Sequence, residues 1–524
     1  MYARNLLPIA VNLSVYLPLR YVPACMKHLL LTALFGLLLI PITWAQPATA
    51  TKPGGFKITG RIKGLKDTTC VIAHYFGATQ YIPKDTARVD NEGNLVFEGS
   101  KRLPEGLYIA VTPKNRYIDF LIDSDQEFSF ETDTTNFVKY MKVTGSKENE
   151  LFYAYQQQLG KFYDEAKALD LEKKVRNDAT TNALVAQKMA SLQKEAQAHR
   201  NQFLTDNAGT FAVKFLKASA EPDVPPAPKA SNGRPDSTWV FNYFKKHFWD
   251  DFDFADERFV RTPLLQRKLD RYIKELTVQN PDSLIKEADF VVGKAIAGKS
   301  QEVKSYAIWY ITSQYEQPKI MGTDGLYVHM FEKYYASGIM PVSDTSTIRQ
   351  IGERVATLKP TLVGKTLIPP VVSDTLRRPI ALANLKADYT VVFFYAPHCG
   401  HCRESAPKVK KFADTYKSKG VEVLAIAIED SPEEWKKFIR EFKLTNMTHG
   451  YDYTSRVNFR QKYDVWTTPT VYVLDRNKKI LARKLPVEDL EGFLLFHKKQ
   501  AATQNQTAKK PAVAPANAKA SIKK

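Results

Sequence analysis

The run Thr390–Ala396 is continuously apolar and leads, through Pro397 and His398, straight into Cys399-Gly400-His401-Cys402. An apolar run without alternation marks a strand buried on both faces, as in a parallel sheet covered by helices. After it, Ala406, Val409, Phe412, Ala413 and Tyr416 fall on one face of a helix spanning Gly400–Lys419. A buried strand, a turn with two cysteines and an amphipathic helix confine this end of the chain to a layered α/β fold. Four cysteines in 524 residues cannot brace so large a structure, so the close pair is read as a reactive dithiol.

The same texture continues to about residue 500. Val421–Ile428 reads as a second buried strand. Ser431-Pro432-Glu433-Glu434 is a capping box with proline at the first helical position, and Trp435, Phe438, Ile439 and Phe442 follow on one side. Strand Thr470–Leu474, turn Asp475–Lys478, strand Lys479–Arg483 and a helix from Val487 complete an α/β domain over 355–500. Upstream, residues 56–146 alternate apolar and polar side chains in short runs, Phe56–Ile62, Asn94–Glu98, Leu107–Val111 and Glu127–Glu131, with Thr69–Ala73 a further strand. They predict an all-β small sandwich or barrel, antiparallel, with Cys70 a buried hydrophobe. Residues 147–354 read as all-α, interrupted by the proline-rich loop Pro222–Ser237, with Tyr306, Trp309 and Tyr310 assigned to core. Neither region carries a cluster of chemistry-bearing residues.

The first 45 residues read as a leader. Lys27 and His28 precede the apolar run Leu29–Ile40, short for a membrane span, and Thr43-Trp44-Ala45 offers a cleavage site before Gln46. Met26 is the expected true start, and 46–55 a linker. Export to the periplasm follows, the alternatives being a retained anchor facing the periplasm and a lipid anchor at Cys25. The formal charge of +19 lies partly in a basic tail, 501–524, read as disordered. Elsewhere the charges alternate in sign as on solvated helix faces, so nucleic acid is not expected as a partner and weak attraction to a membrane surface is what the charge supports. No oligomer is indicated.

At the start of its helix, Cys399 meets unpaired N–H groups and the positive end of the macrodipole, which favour the thiolate and make it the nucleophile. Cys402, one turn later on the same face, is the resolving thiol. His401 between them adds positive charge beside the thiolate and, with Gly400, tunes the loop. The redox potential is therefore expected to lie above the value of about −270 mV typical of thioredoxin. A redox titration giving a potential at or below that value contradicts this tuning.

The stretch Val391–Cys402 resembles the active-site strand and loop of thioredoxin-fold proteins, and Cys-Gly-His-Cys is the tetrad of protein disulfide isomerases. Pro407 stands where that family kinks its helix, and Thr467-Thr468-Pro469-Thr470 resembles its cis-proline loop. The leader and the lead-in Leu362–Leu385 are similar to the exported TlpA/ResA branch. The resemblance implies an α/β thioredoxin fold, a reversible Cys399–Cys402 disulfide, a cis peptide before Pro469, and a Thr468 backbone turned toward the dithiol for substrate pairing. It implies protein disulfides or dithiols as substrates, an upstream thiol donor, and no cofactor or metal. Two positions depart from the pattern. His398 replaces the tryptophan of the docking rim, and Phe393 replaces a buried acid that takes the resolving thiol's proton. The resemblance offers Glu429, or else Asp430, as that acceptor.

Other chemistries fit less well. A peroxidase of the peroxiredoxin kind lacks its proline and hydroxyl, a c-type haem site lacks histidine at Arg403, and structural zinc lacks a fourth ligand. Copper handling through Cys399, Cys402, His398, His401 and His449, and a binding role carried by 56–354, remain as alternatives to thiol–disulfide exchange.

Overall fold

The computed structural model describes residues 54–176 and 178–508. The leader, Met26, Cys25, most of the linker and residues 509–524 lie outside them. The described chain divides into two compact units, one reaching Leu276 and including Phe290–Ala307, the other formed by Thr277–Asp289 and residues from Ile308 onward.

The first unit begins with eight strands: β1 (Phe56–Lys63), β2 (Thr68–Phe76), β3 (Gln80–Val89), β4 (Asn94–Gly99), β5 (Gly106–Thr112), β6 (Arg116–Ile122), β7 (Glu127–Asp133) and β8 (Lys142–Thr144). They form two four-stranded sheets, β4-β1-β7-β8 and β3-β2-β5-β6. Strict alternation in β1 buries Phe56, Ile58, Gly60 and Ile62 on one face. Phe120 of one sheet packs on Phe128 and Phe130 of the other, with centroids 5.8 and 4.8 Å apart, so the sheets share one apolar layer. The expected sandwich is present, but β1 and β7 run parallel, so it is not purely antiparallel. Strands β3 and β6 escaped the sequence reading because exposed polar residues break up β3 and Asp119 interrupts β6. Cys70 is buried, which pushes its thiol up to about 11 and leaves it inert.

Helices follow: α1 (Lys147–Arg176), α2 (Ala179–Asp206), α3 (Phe211–Ser219), α4 (Ser237–His247), α5 (Leu264–Asp270), α6 (Pro281–Ala297), α7 (Gln301–Gln314), α8 (Gly325–Met330) and α9 (Thr345–Leu358). Asp178, Thr210 and Asp236 accept backbone N–H groups at the starts of α2, α3 and α4, satisfying otherwise orphaned donors.

The second unit is built on a seven-stranded sheet, β10-β9-β13-β12-β11-β14-β15. Its elements are β9 (Val372–Ser373), β10 (Pro379–Ile380), β11 (Tyr389–Tyr395), α10 (Gly400–Tyr416), β12 (Val421–Ala427), α11 (Pro432–Glu441), β13 (Thr448–Tyr451), α12 (Phe459–Tyr463), β14 (Thr470–Asp475), β15 (Ile480–Arg483) and α13 (Leu490–Ala508). Every residue of β11 is buried. Val391, Phe393 and Tyr395 face α10 and α11, while Val392 and Phe394 face Phe459, Tyr463 and Tyr472. This is the thioredoxin-like fold expected at the C-terminal end, and the uninterrupted apolar run is an interior strand of its sheet.

Helix α13 continues to Ala508, into the stretch expected to be an unstructured tail from 501. The second compact unit takes in residues from Ile308 as well as the α/β domain expected over 355–500. A buried ion cluster joins these segments. Asp464, fully buried, accepts from Arg354, from Arg483 at 2.9 Å and from Lys484 at 2.8 Å, and Arg483 also pairs with Asp324 at 2.9 Å. Among the described residues no helix is long and apolar enough to cross a membrane.

Candidate functional site

The site lies where β11, β12 and β14 end. Strand β11 runs parallel to β12 and antiparallel to β14, with Phe394 opposite Thr470. That register brings the loop before β14 alongside the residues after β11. Cys399 N–H donates to the Ala396 carbonyl at 3.0 Å, closing the turn that carries the chain from strand into helix. Cys399 is the N-cap of α10, with extended φ and ψ of −68° and 120°. Its thiol donates to the Thr468 carbonyl at 3.3 Å, and the Thr468–Pro469 peptide is cis. The cis-proline loop therefore meets the first cysteine.

The two thiols sit in different surroundings. Cys399 is half-buried and Cys402 fully buried, and neither is bonded to another cysteine. Burial alone raises the Cys399 thiol, but hydrogen bonds with Thr468 and Cys402 and the backbone N–H groups of Cys402 and His401 outweigh it and lower the pKa. Burial pushes Cys402 up to about 12. The accessible thiol is thus the more acidic, the asymmetry that an attacking and a resolving cysteine require.

Gly400 opens the helix, and a Cβ there would meet nothing within 4 Å, so its place in the loop is not dictated by space. His401 is exposed, 3.6 Å from Glu404 on the same helix face. His398 reaches back to the end of β12, where its Nδ1 meets Asp430.

Glu429 is 43% exposed and pairs with Arg460 at 3.2 Å. Asp430 is 12% exposed and is the acid that touches the dithiol loop, through His398. The reason is local. Ile428 N–H still bonds the Tyr395 carbonyl as an extension of the sheet, after which Asp430 takes a left-handed φ of 77° and redirects the chain. A one-residue change of direction at a strand end leaves no mark in the sequence.

Phe393 is buried where an acid was missed, stacked on Tyr395 with centroids 5.3 Å apart. Three buried polar atoms around this interior lack hydrogen bonds: Tyr395 Oη, Trp435 Nε1 and Asp430 Oδ2. The Tyr395 hydroxyl is raised in pKa, chiefly by burial, with Trp435 and Cys402 as polar neighbours. Sequence reasoning placed both aromatics in the core and missed this polar pocket. It also missed Trp466, 53% exposed two residues before Thr468, which supplies an exposed aromatic beside a loop whose usual tryptophan is His398. A large aromatic among Thr467 and Thr468 was the available signal. His449 lies in β13 with Nε2 donating to the Leu444 carbonyl at 2.6 Å. Among the described residues no three histidine, cysteine or carboxylate side chains are grouped to hold a metal ion.

Parts of the chain are similar to known proteins. The AhpC/TSA family matches residues 363–483, and two domains of unknown function, DUF4369 and DUF5106, match 56–152 and 181–357. Thiol-disulfide oxidoreductase ResA of Bacillus thuringiensis is 26% identical over 139 residues, 25% of this chain and 76% of that protein. Protein disulfide isomerase-like 1-1 of Arabidopsis thaliana is 30% identical over 115 residues, 22% of this chain and 19% of that protein. A solved domain of a possible thiol-disulfide isomerase from Cytophaga hutchinsonii is 36% identical, covering 27% of this chain and 97% of the domain, with a TM-score of 0.26.

Proposed function

From a chain whose C-terminal part is a thioredoxin-like thiol–disulfide oxidoreductase domain, we propose exchange with protein disulfides of the cell envelope through Cys399 and Cys402. The single observation that carries this is the unequal pair: a half-buried thiol lowered by hydrogen bonds at a helix start, three residues from a fully buried thiol raised to about 12. In the reducing direction the Cys399 thiolate attacks a substrate disulfide, forming a mixed disulfide and releasing one substrate thiolate. Cys402 then loses its proton and attacks Cys399 Sγ. The Cys399–Cys402 disulfide forms, the second substrate thiolate leaves, and two electrons have passed to the substrate. An upstream dithiol returns the domain to its reduced form, and the reverse sequence oxidises a client dithiol.

The second step needs a base. Burial raises the Cys402 thiol, so it is almost wholly protonated near neutral pH. Asp430, held against His398, takes the role first offered to Glu429 and receives that proton directly or through the imidazole. Thr468 and Trp466 form the docking edge, where an extended client segment pairs with the backbone beside cis-Pro469. Export rests on the leader Leu29–Ile40 and the cleavage site before Gln46.

Asp430→Asn is expected to slow closure of the mixed disulfide by about 10²-fold near neutral pH and to change its pH profile, while Glu429→Gln leaves both unaltered. Stopped-flow single-turnover measurements across pH 5–9 check this. Equal behaviour of the two variants removes Asp430 from the mechanism.

A further inference from the structure

The helical part of the first unit contains a site that the dithiol chemistry does not use. A cavity of about 260 Å³ lies between the C-terminal end of α3 and helix α5. Phe215 and Phe248 supply apolar wall, and Lys268, Arg267, Arg271 and Glu221 supply its charges. Lysine is almost never buried without an anionic partner. Lys268 is 8% exposed and pairs with no carboxylate; its Nζ lies 4.2 Å from the centre of the Phe248 ring and 5.6 Å from Trp249. Burial pulls its pKa down to about 8, and the ammonium meets two ring faces and only the longer-range charges of Glu221 and Asp251.

The charge count identifies what is missing. Glu221 is taken by Arg271, whose guanidinium also lies over Phe244 and Phe248. Lys268 and the exposed Arg267 are left as two cations on an apolar-walled cavity, and among the described residues neither forms an ion pair with a carboxylate. A multiply charged phosphate would need a polar cradle that these walls do not offer. A single carboxylate on a hydrocarbon or aromatic body matches both the charge and the walls, and the volume is near the lower end for small-ligand pockets.

We propose that the cavity bounded by Phe215, Phe248 and Lys268 binds a small organic monocarboxylate, with its anionic head on Lys268 and Arg267 and its apolar body between the phenyl rings. The site gives the helical region a ligand-binding role independent of thiol exchange.

Calorimetric titration of the full-length protein with octanoate tests this, with octanol as a neutral probe of the same chain length. Saturable octanoate binding is expected, and octanol should bind at least tenfold more weakly. Lys268→Met, which keeps the stem and removes the charge, should weaken octanoate by about 10- to 100-fold, the range of one charge-assisted hydrogen bond. Arg267→Gln, at an exposed helical position, should weaken it severalfold and decides the matter if Lys268→Met does not fold. Thiol exchange should be unchanged in both variants. No saturation by 10 mM octanoate, equal binding of octanol, or wild-type affinity in the folded variants would each overturn the proposal.

Discussion

Cys399→Ser is expected to bring disulfide-reductase turnover down to the uncatalysed background, a loss of at least about 10³-fold, the order seen when a covalent nucleophile is removed. Serine fits the same N-cap position and can keep the contact with the Thr468 carbonyl, so the loss reports chemistry and not folding. The hydroxyl cannot ionise in the way the thiol does, because its anion is far too basic to form at neutral pH. In the wild type, the net lowering of the Cys399 pKa shifts the rise of its attack rate to a pH below that of an ordinary cysteine. A measured alkylation profile for Cys399 with its midpoint at or above the ordinary cysteine value would contradict the part played by the helix start and Thr468.

Asp464→Ala should cost about 3–5 kcal/mol of stability in the unit that holds the dithiol, read from chemical denaturation. The carboxylate is fully buried and collects Arg354, Arg483 and Lys484, so its removal leaves cations gathered around an empty position. Asp464 also has a left-handed φ of 52°, a conformation that aspartate and asparagine tolerate and alanine resists. Asp464→Asn separates the effects, since it keeps the backbone preference and loses only the charge. Burial raises the Asp464 pKa, but its hydrogen bonds with Arg354 and Lys484 and the charge of Arg483 bring it below the usual value. A depressed folded-state pKa gives stability that is fully present above the unfolded value of about 3.9 and is lost as pH falls through the folded value. Acid unfolding of the wild type should therefore steepen below about pH 4, and Asp464→Asn should flatten that slope.

Much of the active unit was legible because local and global demands coincide there. The run Thr390–Ala396 is apolar because β11 lies in the interior of the sheet with both faces covered, and Ser431 and Pro432 mark a helix start that the structure keeps. The turn after β11 fixes the cysteines, and the loop before Pro469 was found by its resemblance. Features that depend on distant partners were not legible. The cluster of Asp324, Arg354, Asp464 and Arg483 draws on four separate segments, none with a local signature. The parallel pairing of β1 with β7 depends on register that alternation alone does not encode. Glu429 and Asp430 differ in exposure and partner at a left-handed turn of the backbone, which no local pattern announces.

The most direct test of thiol exchange at this site uses Cys402→Ala, which keeps the attacking thiol and removes the group that resolves the mixed disulfide. Mixed with a disulfide-containing protein such as insulin, and analysed by intact mass and non-reducing peptide mapping, it should accumulate a one-to-one adduct joined through Cys399 while the wild type turns over. No adduct at Cys399, together with disulfide reduction at the wild-type rate, would contradict the account.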